Sequence, residues 1–185
     1  MTRREVSIRA LSIPDLEASL AYLEPHLAES GTPGTALFQP QSKNETWKAS
    51  EHRPKMREAW GKPVGERGWS RAWAAHDSRS GHIVGHASLS GWREPHTEHR
   101  ALLGTGVDRS ARREGIGRAL VDVAIHWAQE ETSLRWIDLR VLGGNAPALA
   151  LYHAIGFIEV ARFADMFRID GESIDDIFMT KCIRP

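Results

Sequence analysis

The stretch from residue 100 to residue 142 constrains the fold of this chain most. An apolar run, Arg100 to Val107, leads into the turn Arg112-Arg113-Glu114-Gly115-Ile116-Gly117, then into a long amphipathic segment, and then into a second short apolar run, Trp136 to Leu142. From Gly115 to Glu131, the residues Ile116, Leu120, Val123 and Trp127 recur at i, i+4, i+7 and i+11, one apolar stripe of a helix. Strand, helix and strand at this length predict a parallel crossover. The helix opens on two glycines flanked by arginines. Helix N-termini carry unpaired N–H groups and partial positive charge, so glycines there let a phosphate approach the backbone while guanidinium groups add charge.

The rest of the chain is consistent with one compact domain spanning residues 1–185. Lysine plus arginine total 24 and aspartate plus glutamate total 24, so no global basic field favours nucleic acid or an anionic membrane, and any anion site must be local. The single cysteine, Cys182, has no internal disulfide partner; its apolar surroundings predict a small buried hydrophobe. The N-terminal residues lack a signal-peptide core, and no run approaches the roughly twenty apolar residues of a spanning helix, which points to a cytoplasmic protein.

Val6 to Arg9 alternates as a short strand, and Ser12-Ile13-Pro14-Asp15 reads as a helix entry leading to Leu16, Leu20, Leu23 and Leu27. Between Ser30 and Ser70 many glycines and prolines break a polar stretch in which Lys48 to Trp60 forms one helix. Trp69 to His76 and His82 to Trp92 flank a turn at residues 77–81 and predict an antiparallel hairpin. Arg100 to Val107 is the next strand, and its Gly104 and Gly106 mark a bulge or a close approach by another group. Asn145 caps a helix that ends near Ile155 with Gly156 as its stop, and Phe157 to Ile169 and Ile174 to Cys182 flank a last hairpin. The expected fold is α/β: a mixed, mostly antiparallel twisted sheet with one parallel strand pair and helices on its faces.

Two nucleotide motifs fail. A Rossmann fingerprint needs a third glycine where Leu120 stands, and a P-loop needs Gly-Lys-Ser/Thr, whereas Gly61-Lys62 is followed by Pro63. What is present is a strand ending in Val107, the pattern Arg112-x-x-Gly115-x-Gly117, a helix, a strand, and then Asn145-x-x-Ala148-x-x-Leu151-Tyr152-x-x-x-Gly156-Phe157. Together these resemble the Gcn5-related N-acetyltransferase (GNAT) superfamily, strongly from about Leu102 to Phe157 and more loosely elsewhere.

The resemblance implies a sheet whose strands at 100–107 and 136–142 splay apart to admit acetyl-CoA. Backbone groups near Thr105 and Val107 would pair with its pantetheine arm. Arg112 belongs to the signature, and amides of Arg113, Gly115, Gly117 and Arg118 would hold the pyrophosphate. Asn145 and Tyr152 lie two helical turns apart, so both can face the cofactor. By resemblance Tyr152 is the general acid that protonates the departing thiolate.

Direct transfer also needs a neutral amine, and Ala101 to Val107 contains no ionisable side chain to make one. Glu98 and His99, just before the strand, and His86 on the preceding strand are the candidate bases; His99 is preferred because its ordinary pKa lies nearest neutrality. A metal is not expected, since a spacing of four along a strand separates His82 and His86 by about 13 Å. In this superfamily the segment after the first strand builds the acceptor pocket, so Trp47 or Trp60 is expected to line it. The C-terminal residues 168–179 resemble the end of bacterial members that acetylate amino acids and similar small amines.

The expected function is therefore acetyl transfer from acetyl-CoA to a primary amine of a small molecule in a ternary complex. The alternatives are an acetyltransferase of protein N-termini or lysines and a non-catalytic acyl-CoA-binding module. Free edges on the C-terminal strands favour a homodimer.

Overall fold

The computed structural model describes residues 4–184. The chain runs β1 (Val6–Ala10), α1 (Leu16–Ala28), α2 (Ala49–Gly61), β2 (Ser70–Asp77), β3 (Ile83–Gly91), β4 (Arg100–Val107), α3 (Ile116–Glu131), β5 (Trp136–Leu142), α4 (Ala146–Ile155), β6 (Ile158–Ile169) and β7 (Glu172–Cys182). The seven strands form one sheet in the order β1-β2-β3-β4-β5-β7-β6, antiparallel everywhere except between β4 and β5. Among the described residues no helix is long and apolar enough to cross a membrane.

Local chemistry sets the helix ends. Before α1, the Asp15 carboxylate accepts from both the backbone N–H and the hydroxyl of Ser12, each at 2.9 Å, and closes the entry turn. The Asn145 side chain accepts from Ala148 N at 3.3 Å to cap α4, and Gly156, at φ 95°, ends that helix in a conformation L side chains rarely adopt.

α3 packs on one face of the sheet, where Ile116, Leu120, Val121, Ala124, Ile125 and Ala128 are buried. This face is rotated from the stripe of large residues: Val123 and Trp127 are only partly buried at its edge, while alanines at 124 and 128 let the helix settle close to the strands. α1 covers the opposite face, as Gly106 shows by pressing against His26 of that helix. Cys182 departs from expectation. It is exposed at the last position of β7, next to the buried Ile183.

The pairing around β4 positions everything that follows. β3 and β4 keep an unbroken register from Gly85 opposite Val107 to Gly91 opposite Ala101, so Gly104 and Gly106 form no bulge. β4 and β5 pair only from Arg100 opposite Trp136 to Leu102 opposite Asp138 and then part. β5 leaves to pair along its whole length with β7.

Candidate active site

The wedge between β4 and β5 leaves backbone groups of β4 unclaimed by the sheet. His99 O accepts from residues 135 and 136 on the β5 side, whereas Asp108 N donates to Val84 O on the β3 side. Strand alternation then turns the N–H and C=O groups of Leu103, Thr105 and Val107 into the wedge. Val107 O already accepts from Arg112 Nε at 3.0 Å, which ties the end of β4 to the turn that follows. Thr105 spends its hydroxyl on His86 O at 2.7 Å, so its backbone is what faces the wedge.

At the mouth of the wedge the turn before α3 winds through positive φ at Arg113 (63°) and Gly115 (83°). Gly115 is the N-cap, and no side chain caps the helix, so the first amides of α3, including those of Gly117 and Arg118, point out of the helix end. A Cβ on Gly117 would touch Leu151 and Val107, so the helix end sits directly against β4 and α4. The structure thus brings Thr105, Val107, Arg113, Gly115, Gly117 and Arg118 to one mouth. The guanidinium groups behave differently from the simplest expectation: Arg112 turns back to Val107 O and Glu29, and Arg118 lies against Ala154 O and Asp122. The anion-facing groups of the turn are mainly backbone N–H, an arrangement that suits a phosphate.

The inner end of the wedge opens into a cavity of about 690 Å³. Leu103, Thr105, Asn145 and Tyr152 line it, as do Trp47 and Trp60 from the segment that joins β1 to β2. Tyr152 is buried against Phe157, at 5.7 Å between rings, and burial pushes its phenol pKa up, so it stays a protonated donor. Arg140 and Asp176 also stand in the wall of this cavity, paired through Asp176 Oδ2, while Asp176 Oδ1 is buried without a hydrogen-bond partner among the described residues.

Two of the candidate bases are not brought to Tyr152. Glu98 is exposed, and hydrogen bonds from its own backbone N–H and from His96 N at 3.2 Å hold its carboxylate pKa low; His99 spends its carbonyl on residues 135 and 136. Both lie at the paired end of β4, outside the cavity lining, whereas His86 does line it. His82 opens on a different cavity from His86. Sequence reasoning missed Tyr22, His26 and Asp108, which gather around Gly106, and the Arg140–Asp176 pair. The one available signal was Gly106 itself.

The family model described as "Acetyltransferase (GNAT) family" matches residues 36–157. The chain belongs to this family. It is 28% identical over 102 residues to the L-amino acid N-acetyltransferase AaaT of Escherichia coli K12, covering 55% of this chain and 62% of that protein. It is 35% identical over 95 residues to the mycothiol acetyltransferase of Jonesia denitrificans, covering 51% of this chain and 29% of that one. The matches therefore span less than two thirds of either relative. Among solved structures, yncA of Salmonella typhimurium, described with its cofactor acetyl-CoA, superposes with a TM-score of 0.77 at 18% identity, covering 98% of this chain and 95% of that one. Spermidine N-acetyltransferase of Vibrio cholerae, in complex with CoA and spermine, does so with a TM-score of 0.72 at 19% identity, covering 96% and 95%. At these identities the structural matches speak to the fold.

Proposed function

We propose that this chain is a single-domain N-acetyltransferase that moves the acetyl group of acetyl-CoA to the primary amine of a small, carboxylate-bearing molecule in a ternary complex. The observation that carries the reading is the wedge. Backbone groups of Leu103 and Thr105 and the N–H of Val107, unclaimed by the sheet, lead from an uncapped helix end to a cavity holding a buried, protonated Tyr152. The residues present fit the cofactor: amides at Arg113, Gly115, Gly117 and Arg118 would hold its pyrophosphate, the β4 edge its pantetheine arm, and Asn145 and Tyr152 its acyl end. When bound, acetyl-CoA supplies an activated acyl group whose leaving atom is sulfur. Tyr152 donates a proton towards that sulfur, and its burial keeps the proton in place until it is needed.

The charge of the cavity supports the acceptor class. Its lining carries Lys55 and Arg140 as cations and Asp176 as its carboxylate, and Asp176 is already bound to Arg140. Lys55 makes no ion pair among the described residues. A polyamine or aminoglycoside needs several free carboxylates, whereas an amino-acid-like acceptor offers an anion to Lys55 and Arg140. The enclosing Trp47 and Trp60 suit a small molecule better than a peptide chain.

Calorimetric titration with acetyl-CoA and a CoA-release assay over amino acids, polyamines, aminoglycosides and peptides test this together. Saturable binding in the hundreds of micromolar or below, with turnover confined to carboxylate-bearing amines, is expected. No binding sinks the enzyme reading; binding without turnover favours an acyl-CoA-binding module; turnover on peptides or polyamines overturns the acceptor class.

A further inference from the structure

Four titratable side chains close over Gly106 on the α1 face of the sheet: Tyr22 and His26 from α1, His86 from β3, and Asp108 just beyond β4. A Cβ on Gly106 would lie 2.3 Å from His26 Nε2 and 2.7 Å from His86 Cε1, so both rings rest on bare backbone. Tyr22 stacks on His26 at 5.4 Å and meets His86 edge-on at 5.6 Å. Its hydroxyl lies 3.5 Å from His86 Nδ1 and faces the Asp108 carboxylate. Asp108 is also 3.5 Å from His26 Nδ1, a buried atom with no hydrogen-bond partner among the described residues.

The position of this cluster gives it a use. His86 lines the main cavity, Asp108 lines a second cavity of about 930 Å³, and Tyr22 and His26 line both. The cluster is the wall between them. Apolar side chains would seal such a wall at less cost than four polar ones whose hydrogen bonds are long or missing. A polar chain from a reaction chamber to a second opening can carry protons.

We propose that His86, Tyr22 and Asp108 form a proton exit that deprotonates the acceptor ammonium, with His26 as a positioning residue; the proposal rests on the acetyl-transfer reading above. An amine that arrives as ammonium loses two protons in becoming an amide. One replaces the proton that Tyr152 gives up; the other must leave the cavity before the nitrogen can attack. That proton passes from the ammonium nitrogen, directly or through water, to His86 Nε2. The Nδ1 proton of His86 moves to the Tyr22 oxygen, the Tyr22 proton moves to Asp108, and Asp108 releases it to water in the second cavity. The ammonium N–H bond breaks, one proton reaches solvent, and every relay member ends with the proton count it began with; His86 ends as the Nε2–H tautomer and returns to Nδ1–H by proton exchange with water before the next turnover.

Burial, with His26 beside it, lowers the His86 pKa to about 3, so His86 passes a proton on and does not store it. Burial and the Asp108 charge push the Tyr22 pKa up, which keeps its O–H in place as a link. The other charges facing the cluster are Glu29 at the end of α1 and Arg112, paired with each other at 3.5 Å, and Arg109, which donates to Pro33 O. His76 and His82 line the second cavity.

Two measurements test the exit. Nitrogen-15 NMR of the ligand-free protein reads the His86 tautomer: the relay requires Nδ1–H, and an Nε2–H tautomer overturns it. Steady-state kinetics across pH then compare the wild type with Tyr22→Phe, which keeps the ring contacts, and with Asp108→Asn. Each substitution is expected to lower kcat about tenfold or more at pH 7 with acetyl-CoA affinity within about twofold, and the deficit is expected to shrink as rising pH delivers the acceptor already neutral. A deficit equal at every pH, or none at pH 7, overturns the relay while leaving acetyl transfer intact. Absence of turnover by the wild type overturns both.

Discussion

Tyr152, the proposed general acid, shows how surroundings suit one side chain to a role. Its phenol has an ordinary pKa near 10, and burial raises it, so it keeps its proton through the neutral range. That makes it a poor base and a reliable donor. The role is separable from packing, because Phe preserves the edge-on contact with Phe157 and the volume in the core. Tyr152→Phe is therefore expected to leave acetyl-CoA affinity within about twofold and to lower kcat by about a hundredfold, the scale of a lost general acid. The wild type should show no alkaline fall in kcat below about pH 10 that Tyr152→Phe abolishes. Calorimetry and initial rates over pH decide both, and undiminished turnover by the variant removes the assignment. Asn145, two turns earlier on α4, already caps that helix through Ala148 N, so its contribution to stability and any contact with cofactor come from the same side chain.

At the scale of elements, β4 carries the site because each of its edges and faces does something different. One edge is fully paired with β3, the other is paired for three residues and then free, and its α1 face at Gly106 is bare so that two histidine rings can rest on it. The two glycines are not equivalent. A methyl at Gly104 would stop 3.2 Å from Ser88 Oγ, the end of a side chain that can turn, whereas one at Gly106 would overlap His26 at 2.3 Å. Gly106→Ala is expected to cost about 1–3 kcal/mol of unfolding free energy, the range for overpacking, and Gly104→Ala under about 1. His26→Ala combined with Gly106→Ala should recover part of the loss, a non-additivity that denaturant unfolding of the cycle measures. Equal costs at 104 and 106 would contradict the packing described.

This contrast also shows what the chain discloses before it folds. The runs Arg100 to Val107 and Trp136 to Leu142 become strands at those residues, because alternation and flanking turns are local properties. The buried face of α3 was harder to see, since large residues advertise themselves while Ala124 and Ala128 bury silently. The glycine turn and the Asn145 to Phe157 segment were legible because their spacing is tied to one backbone shape. Of the ionisable groups around Gly106 only His86 was, since Tyr22, His26 and Asp108 stand far apart in sequence and meet only through the register of the sheet. Searching β4 for a charge therefore led to Glu98 and His99 at its paired end, while the titratable groups at the cavity wall came from α1, β3 and the residue just past the far end of β4.

At the scale of the molecule, the wedge exists only if β4 and β5 are held together at one end while β5 is drawn to β7 at the other. Asp138 stands at that junction. Only 3% exposed, it receives Arg100 through Nε at 2.8 Å and Nη2 at 2.5 Å, Trp92 Nε1 at 3.0 Å, and Thr180 Oγ1 at 2.6 Å. The same guanidinium donates to Thr180 at 3.1 Å and lies over Trp136 at 5.1 Å. One carboxylate thus joins residues from β4, β5, β7 and the end of β3 where the parallel pairing stops. Asp138→Ala leaves the Arg100 charge half-buried without its partner and strips acceptors from Trp92 and Thr180. A loss of about 3–5 kcal/mol is expected, a drop in Tm of roughly 10 °C for a chain of this size. Pairing Asp138→Leu with Arg100→Met removes both charges and should restore much of that stability, since a buried ion pair is worth little beyond the apolar residues that can replace it. What the double variant should not restore is the wedge angle, because bidentate hydrogen bonds fix geometry and apolar contacts do not. Its acetyl-CoA affinity is then expected to stay about tenfold or more below wild type while its unfolding free energy returns. Denaturant unfolding and calorimetry on the same three proteins measure the two quantities independently. Recovery of stability and affinity together would mean that the charged junction holds the sheet closed without setting the angle at which it opens.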